Sequence, residues 1–295
     1  MKKHIIAMVL GVLPALTLAL GAQEPGPKVD SQRPPEPPRA STTAQIPQTH
    51  HDLDWQAPKR WVHIDTVDPQ KAQIFENARK AWLVTLRKDG QLLGDGRPLF
   101  WQARGGAVYT YFTFYPFRRW AEMDARGEMI EQTEKVVGAD AVKTYDLGDA
   151  ALIPPHCSQI WRRLAGSDIT WPGSASLTEV TAAMGRMELH EVGFENWDEF
   201  ELTWKAVQEA LTAQKYPLAC RVFSNVYGRN QGEYILMWLA SDAAQYHGAP
   251  TLKAALQQAL GVPKSKALLA SLEKTFPLKQ SFEIEKRPDL SNLGQ

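Results

Sequence analysis

Two short strand-like stretches, WVHIDTV and RMELHEV, carry the side chains best suited to chemistry: His63 and Asp65 in the first, Glu188 and His190 in the second. In each stretch the pair is spaced i, i+2, which in an extended chain places both members on one face. Imidazole and carboxylate side by side suit a general acid/base pair. They equally suit an oxygen/nitrogen ligand set for Zn²⁺ or Fe²⁺, or a hydrogen-bonded polar strip with no chemistry at all. Aromatic residues add a second feature. Tyr109, Tyr111 and Thr113 share one face of a strand, with Val108, Phe112 and Phe114 on the other, and Tyr234, Leu236 and Trp238 form a matching set further on. Tyr109, Tyr111 and Tyr234 could wall a pocket for a flat organic molecule, or simply pack one sheet on another.

The remaining candidates are weaker. Arg118 and Arg119 follow a strand end, and Arg162 and Arg163 lie in another strand, which allows an anion site but also solvated surface arginines. His156 and His247 stand near Pro or Gly in expected loops. There is no Gly-rich phosphate loop, no Cys-x-x-Cys or His-Glu-x-x-His metal signature and no Gly-x-Ser-x-Gly elbow. Dinucleotide, metalloprotease and serine-hydrolase readings therefore lose their usual support, and no cofactor is expected. Lys+Arg and Asp+Glu number 33 each, which argues against a polyanionic partner such as nucleic acid.

The elements that must position these residues come in two copies. The stretch from Trp61 to Leu86 aligns with that from Arg186 to Leu211 at an offset of 125, placing Val67 on Val192, Phe75 on Phe200 and Lys80 on Lys205. Each copy reads as an alternating strand followed by an amphipathic helix. The first helix opens with Asp68 as N-cap and Pro69 at its first position; the second opens around Asn196 with Glu199 three residues on, a capping-box spacing. Hairpins follow (LFWQARGGAVYTYFTFYPF and LACRVFSNVYGRNQGEYILMWLA), then helical regions at Met129–Val137 and Thr251–Leu260, a shared Gly at 138 and 261, a short helix, and a last strand, SQIWRRL or SFEIEKR. The outer side of the first helix in each copy is expected to be polar (Lys71, Glu76, Arg79, Lys80; Glu199, Lys205, Glu209).

Each copy is thus β-α-β-β-α-β, the split βαβ plan, with an antiparallel sheet in spatial order 4-1-3-2 and helices on one face. One such unit leaves the other sheet face bare, and two in one chain can cover each other. The fold class is therefore α+β, two tandem duplicated ferredoxin-like units packed sheet to sheet. In element order and repeat spacing the chain resembles the dimeric α+β barrel superfamily with both protomers fused, NIPSNAP-like and antibiotic-biosynthesis-monooxygenase-like members being similar in size. The resemblance implies a barrel completed within one chain, hence a monomer, and admits cofactor-independent monooxygenase or metal-dependent activity.

Alternation is taken to send Val62, Ile64, Met187 and Leu189 toward the helices. His63, Asp65, Glu188 and His190 then line the space between the sheets, joined by Tyr109, Tyr111 and Tyr234 as a ligand-binding set. If a metal is bound, the first four are its ligands. Cys157 begins the fourth strand of one unit and Cys220 lies on the second strand of the other; edge pairing of those strands would let them form a disulfide.

The ends set the context. Lys2 and Lys3, an apolar run from Ile5 to Leu20 and small residues before Gln23 make residues 1–22 a signal peptide. Removing it takes two lysines and no acid. Residues 23–53 read as a disordered Pro-rich linker, 54–173 as the first repeat, and 174–295 as the second repeat with a short disordered C-terminal tail. The expected location is periplasmic or secreted, without membrane anchoring after cleavage. The expected function is small-molecule binding in the inter-sheet cleft. A monooxygenase-like or metal-dependent enzyme and a protein-interaction module are the alternatives.

Overall fold

A computed structural model describes residues 59–88, 99–104, 109–123, 138–154, 156–228 and 232–291. The signal peptide, the Pro-rich linker and the helix expected at Met129–Val137 lie outside the described residues. The first half comprises β1 (Lys59–Val67), α1 (Ala72–Lys88), β2 (Leu99–Arg104), β3 (Tyr109–Phe117), α2 (Ala139–Asp149) and β4 (Cys157–Arg163). The second comprises β5 (Met184–Glu191), α3 (Trp197–Ala213), β6 (Ala219–Tyr227), β7 (Glu233–Ala240), α4 (Ala243–Gly248), α5 (Leu252–Leu260), α6 (Val262–Thr275) and β8 (Leu278–Lys286).

Local chemistry explains the element starts unevenly. The side chain of Asp68 accepts from the amide of Gln70 at 3.0 Å, with Pro69 next, and a short 3₁₀ turn leads into α1. The capping box expected at α3 does not form. Asn196 makes no side-chain cap, and Glu199 instead accepts from Ser271 at 3.1 Å and Lys274 at 3.0 Å on α6, because tertiary partners lie within its reach. Gly138 and Gly261 precede α2 and α6 with nearly the same backbone, φ 80°, ψ 168° and φ 76°, ψ 161°. Side chains are essentially barred from that region, which is why both halves use glycine there.

The eight strands close into an antiparallel barrel in the order β1-β3-β2-β8-β5-β7-β6-β4. Each half keeps the expected 4-1-3-2 order within that ring. The halves join edge to edge through β2 with β8 and β4 with β6, so no strand edge is left unpaired.

Three apolar clusters result. The barrel interior holds Val62, Trp101, Phe112, Phe114, Trp161, Met187, Leu189, Phe223, Ile235 and Met237, all buried. Outside it, Val67, Phe75, Phe100 and Tyr111 pack beneath the first-half helices. Phe200, Trp204, Tyr234, Trp238 and Phe276 pack beneath those of the second. The assumed strand parity is therefore inverted: Val62, Ile64, Met187 and Leu189 face the barrel interior, and their polar neighbours face the helices. The physical reason is that a closed barrel offers its inward side chains only one another, whereas the helix layer leaves gaps through which polar groups reach partners and water.

Two connections cross between halves. After β4 the chain runs into the second half, where Ile169 pairs with Cys220 (N to O, 2.9 Å in both directions) and is fully buried. After β8 the chain runs back onto the first half: Arg287 N donates to Phe100 O at 2.9 Å, Ser291 Oγ accepts from Phe100 N at 2.9 Å, and Leu290 is fully buried. The tail expected to be disordered is thus held as far as Ser291.

The disulfide does not form. β4 and β6 are neighbours as expected, but Arg163 lies opposite Phe223, which leaves Cys157 and Cys220 toward opposite ends of the pair. The seven residues from Cys157 to Arg163 alone span roughly 20 Å of strand, against the ~7 Å within which Cα atoms must lie for a bridge. Cys157 also shares the inward parity of Trp161, while Cys220 packs in the outer layer.

Candidate functional site

The seven residues singled out in the sequence do not converge. β1 and β5 are separated around the barrel by β3, β2 and β8 on one side and by β4, β6 and β7 on the other. His63 and Asp65 consequently sit in the outer layer of one half, Glu188 and His190 in that of the other. They cannot form one ligand set, and among the described residues no three His, Cys, Asp or Glu side chains gather to hold a metal ion. The inter-sheet space proposed as a cleft is packed with apolar side chains.

In the first half, His63 Nδ1 lies 2.9 Å from Ser158 Oγ, with Trp61 and Tyr115 rings 4.4 and 5.7 Å away. Asp65 is buried in a group the sequence did not suggest. Arg79 on α1 bonds Asp149 on α2 at 3.0 Å, and its guanidinium stacks 4.4 Å from the Tyr145 ring. Burial pushes the Asp65 carboxyl above its ordinary value, only partly opposed by Arg79 and His156, and burial raises Asp149 likewise. Arg79 and Glu76 thus point inward rather than forming the polar outer face expected of α1. Tyr111 donates to Glu76 at 2.7 Å, and Arg287 from the C-terminal segment grips the same carboxylate. Tyr109, at the strand start, is 41% exposed.

The second half brings three of its expected residues together. His190 is only 8% exposed and stacks on Phe276. Its Nδ1 lies 2.9 Å from the Phe276 carbonyl oxygen. A carbonyl only accepts, so Nδ1 carries a proton, and it is Nε2 that bears the lone pair whenever the ring is neutral. That Nε2 is buried and finds no hydrogen-bond partner among the described residues; Glu188 Oε2 stands 3.7 Å away. Tyr234 lies across the ladder from His190 and packs on Phe200 and Phe276.

Glu188 is positioned from two further sides. Trp238 Nε1 donates to Oε2 at 2.7 Å, and Arg186 Nε lies 2.8 Å from Oε1. Burial of the carboxylate works to raise its pKa, but the nearby Arg186 guanidinium and the Trp238 indole N–H, with His190 alongside, hold it below the usual carboxylate range. An ionised carboxylate beside a lone-pair imidazole is an arrangement that can accept a proton, because the imidazolium so formed faces a negative charge. On the neighbouring β8, Ser281 lies opposite Glu188, and Lys279, Ser281 and Glu285 are exposed. Phe276, which orients His190, follows a helix 86 residues further along, and no local pattern marks it; Arg186 and Trp238 were visible as strand residues but not as partners of Glu188.

No family model matches the chain, and no curated protein matches it. Solved structures do. A protein of Fusobacterium nucleatum, provisionally named a monooxygenase, is similar with TM-score 0.50 at 11% identity, over 78% of this chain and 92% of that one. Another provisionally named monooxygenase, from Lactobacillus acidophilus, is similar with TM-score 0.45 at 10% identity over 78% and 94%. A chlorite dismutase variant from Candidatus Nitrospira defluvii gives TM-score 0.47 at 10% identity over 81% and 94%. At such identities the likeness concerns the fold alone.

Proposed function

We propose that the chain binds a small organic molecule against the outer face of β5, and that His190, held by Phe276 and backed by Glu188, removes a proton from it. The observation that carries this reading is the buried Nε2 of His190 with no hydrogen-bond partner among the described residues, in a ring whose other nitrogen is committed to a backbone carbonyl. Trp238 and Tyr246 supply aromatic surface nearby; burial pushes up the Tyr246 phenol, and Glu188, Glu283 and Arg186 all act on it electrostatically. The reading keeps the expectation of a small-molecule ligand but moves it from the barrel interior to the helix-covered layer. It favours the monooxygenase-like alternative as far as proton chemistry, and the fold shared with the Fusobacterium protein supports it only weakly. The reading of residues 1–22 as a signal peptide supports an exported protein as the setting of this activity.

The test is hydrogen–deuterium exchange into a panel of 1,3-diketones and hydroxyarenes in deuterium oxide, followed by proton NMR. The protein should accelerate exchange of at least one compound, and H190Q should abolish the acceleration while leaving the fold intact. Acceleration unchanged in H190Q removes the proposal.

A further inference from the structure

Two nitrogens flank Glu188, and both are buried without a hydrogen-bond partner among the described residues: Nε2 of His190, 3.7 Å from Oε2, and Nε of Arg186, 2.8 Å from Oε1. The carboxylate is close enough to bond the second, yet the Nε–H is not aimed at it. Arg186 and Glu188 therefore form an ion pair that leaves this N–H to another acceptor.

The placement follows from β5. Arg186, Glu188 and His190 alternate with the inward Met187 and Leu189 and so share the outward face, and Arg186 lies across the ladder from Trp238 on β7 and Glu283 on β8. The guanidinium carbon stands 5.9 Å from the Trp238 ring, whose indole N–H already serves Glu188. Glu283 has Arg104 at 3.9 Å. The Arg186 side chain is 35% exposed, so an arriving molecule can meet it. Because a single carboxylate separates the two nitrogens, they lie no more than about 9 Å apart. A carbonyl compound bridges that gap when its acidic carbon sits about 3–3.5 Å from Nε2 and its oxygen accepts a charge-assisted hydrogen bond of about 2.8 Å from the guanidinium.

We propose, resting on the reading of the β5 face as a site for a small organic molecule, that Arg186 receives the oxygen of that molecule, and that the substrates are carbonyl compounds and phenols whose conjugate bases carry their charge on oxygen. When His190 Nε2 takes the proton, the electron pair of the broken C–H or O–H bond settles on that oxygen; no bond to the protein forms and no oxidant is consumed. The Arg186–Glu188 pair is neutral beforehand, and the imidazolium and oxyanion formed together keep the group neutral afterwards, which suits a half-buried site. An acid whose charge stays on carbon gains nothing from Arg186.

Spectrophotometric pH titration of 4-nitrophenol with the full chain tests this, since the phenol and the phenolate absorb at different wavelengths. The bound compound should ionise about one pH unit or more below the free one, the effect of a cation at contact distance. R186M should abolish that shift, and R186K should restore much of it. H190Q should lose proton exchange but keep a lowered nitrophenol pKa, because Arg186 remains. Exchange unaffected in H190Q, together with a shift lost in R186M, removes the base and leaves Arg186 as the partner of the oxyanion. Failure of 4-nitrophenol to bind, a bound phenol that ionises as it does in water, or a shift unaltered in R186M overturns the proposal.

Discussion

The imidazole of His190 lies flat on the ring of Phe276, centroids 3.9 Å apart and planes within 1°, while the same Phe276 offers its backbone carbonyl to Nδ1 at 2.9 Å. One residue thus sets both the plane of the ring and its tautomer. These two controls can be separated by mutation, since Phe276→Leu removes the ring and keeps the carbonyl. We expect F276L to lose about 1 kcal/mol of stability, the scale of an aromatic pair, and to retain most proton-transfer activity. H190Q should lose about 100-fold or more, the contribution typical of a general base. Denaturant unfolding beside the exchange assay distinguishes them; equal activity losses in both would mean that the stack, not the tautomer, matters.

Glu188 predicts a direction in acid. Its folded pKa lies below its unfolded value, near the ordinary 4.3 or so, so its contribution to stability is present above that value and disappears as pH falls through the folded pKa. E188Q should unfold with a flatter dependence on pH below about 4.3, and chemical denaturation at several acidic pH values measures this. A steeper acid dependence in E188Q would contradict the assigned partners.

Asp65 and Asp149 predict the opposite sign. Their folded pKa values are raised, so the stability they confer is fully present below the ordinary carboxylate value and is lost as pH rises through the folded one. D65N should hold stability level or increase it at neutral pH, because Arg79 keeps Asp149 as its partner. Arg79→Met leaves the buried Asp65 and the half-buried Asp149 without their cation and should cost ~3 kcal/mol, by analogy with other broken buried pairs. Denaturant midpoints at pH 7 compare them, and a D65N protein as destabilised as R79M would show that Asp65 is a needed anion.

The C-terminal segment predicts a role beyond its length. Leu290 is fully buried among Val67, Phe75 and Phe100, and Ser291 caps the Phe100 amide. L290A should cost ~2–4 kcal/mol, as other large-to-small core changes do. Thermal unfolding of L290A that matches the unsubstituted protein would show that the segment merely rests on the first half.

The thiols offer a simple check on topology. Cys220 is fully buried and its thiol is pushed well above its ordinary pKa by burial. Two thiols should react with a disulfide-exchange reagent after unfolding without reductant, and Cys220 should not react in the native protein. Finding no titratable thiol in the unfolded, unreduced chain would restore the disulfide.

Much of the architecture was legible in the residues. The 125-residue offset, the alternating strands, the glycines at 138 and 261 and the 4-1-3-2 order all follow from periodicities and turn chemistry that act over a few residues, and such signals survive in a linear string. The pairing of β4 with β6 was legible for the same reason, as a consequence of which strands lie at each sheet's edges. What the string could not carry was orientation. Alternation sorts Val62 and Ile64 from His63 and Asp65, but both strand faces are buried, and only closure of the barrel decides which set packs against its own kind. Register is equally non-local: it set Cys157 and Cys220 apart on strands that do meet. The site itself belongs wholly to tertiary structure, because Phe276 and Trp238 reach His190 and Glu188 only when β5, β7 and the end of α6 are packed, and the affinity of a nitrogen for a proton depends on what stands within a few ångströms of it.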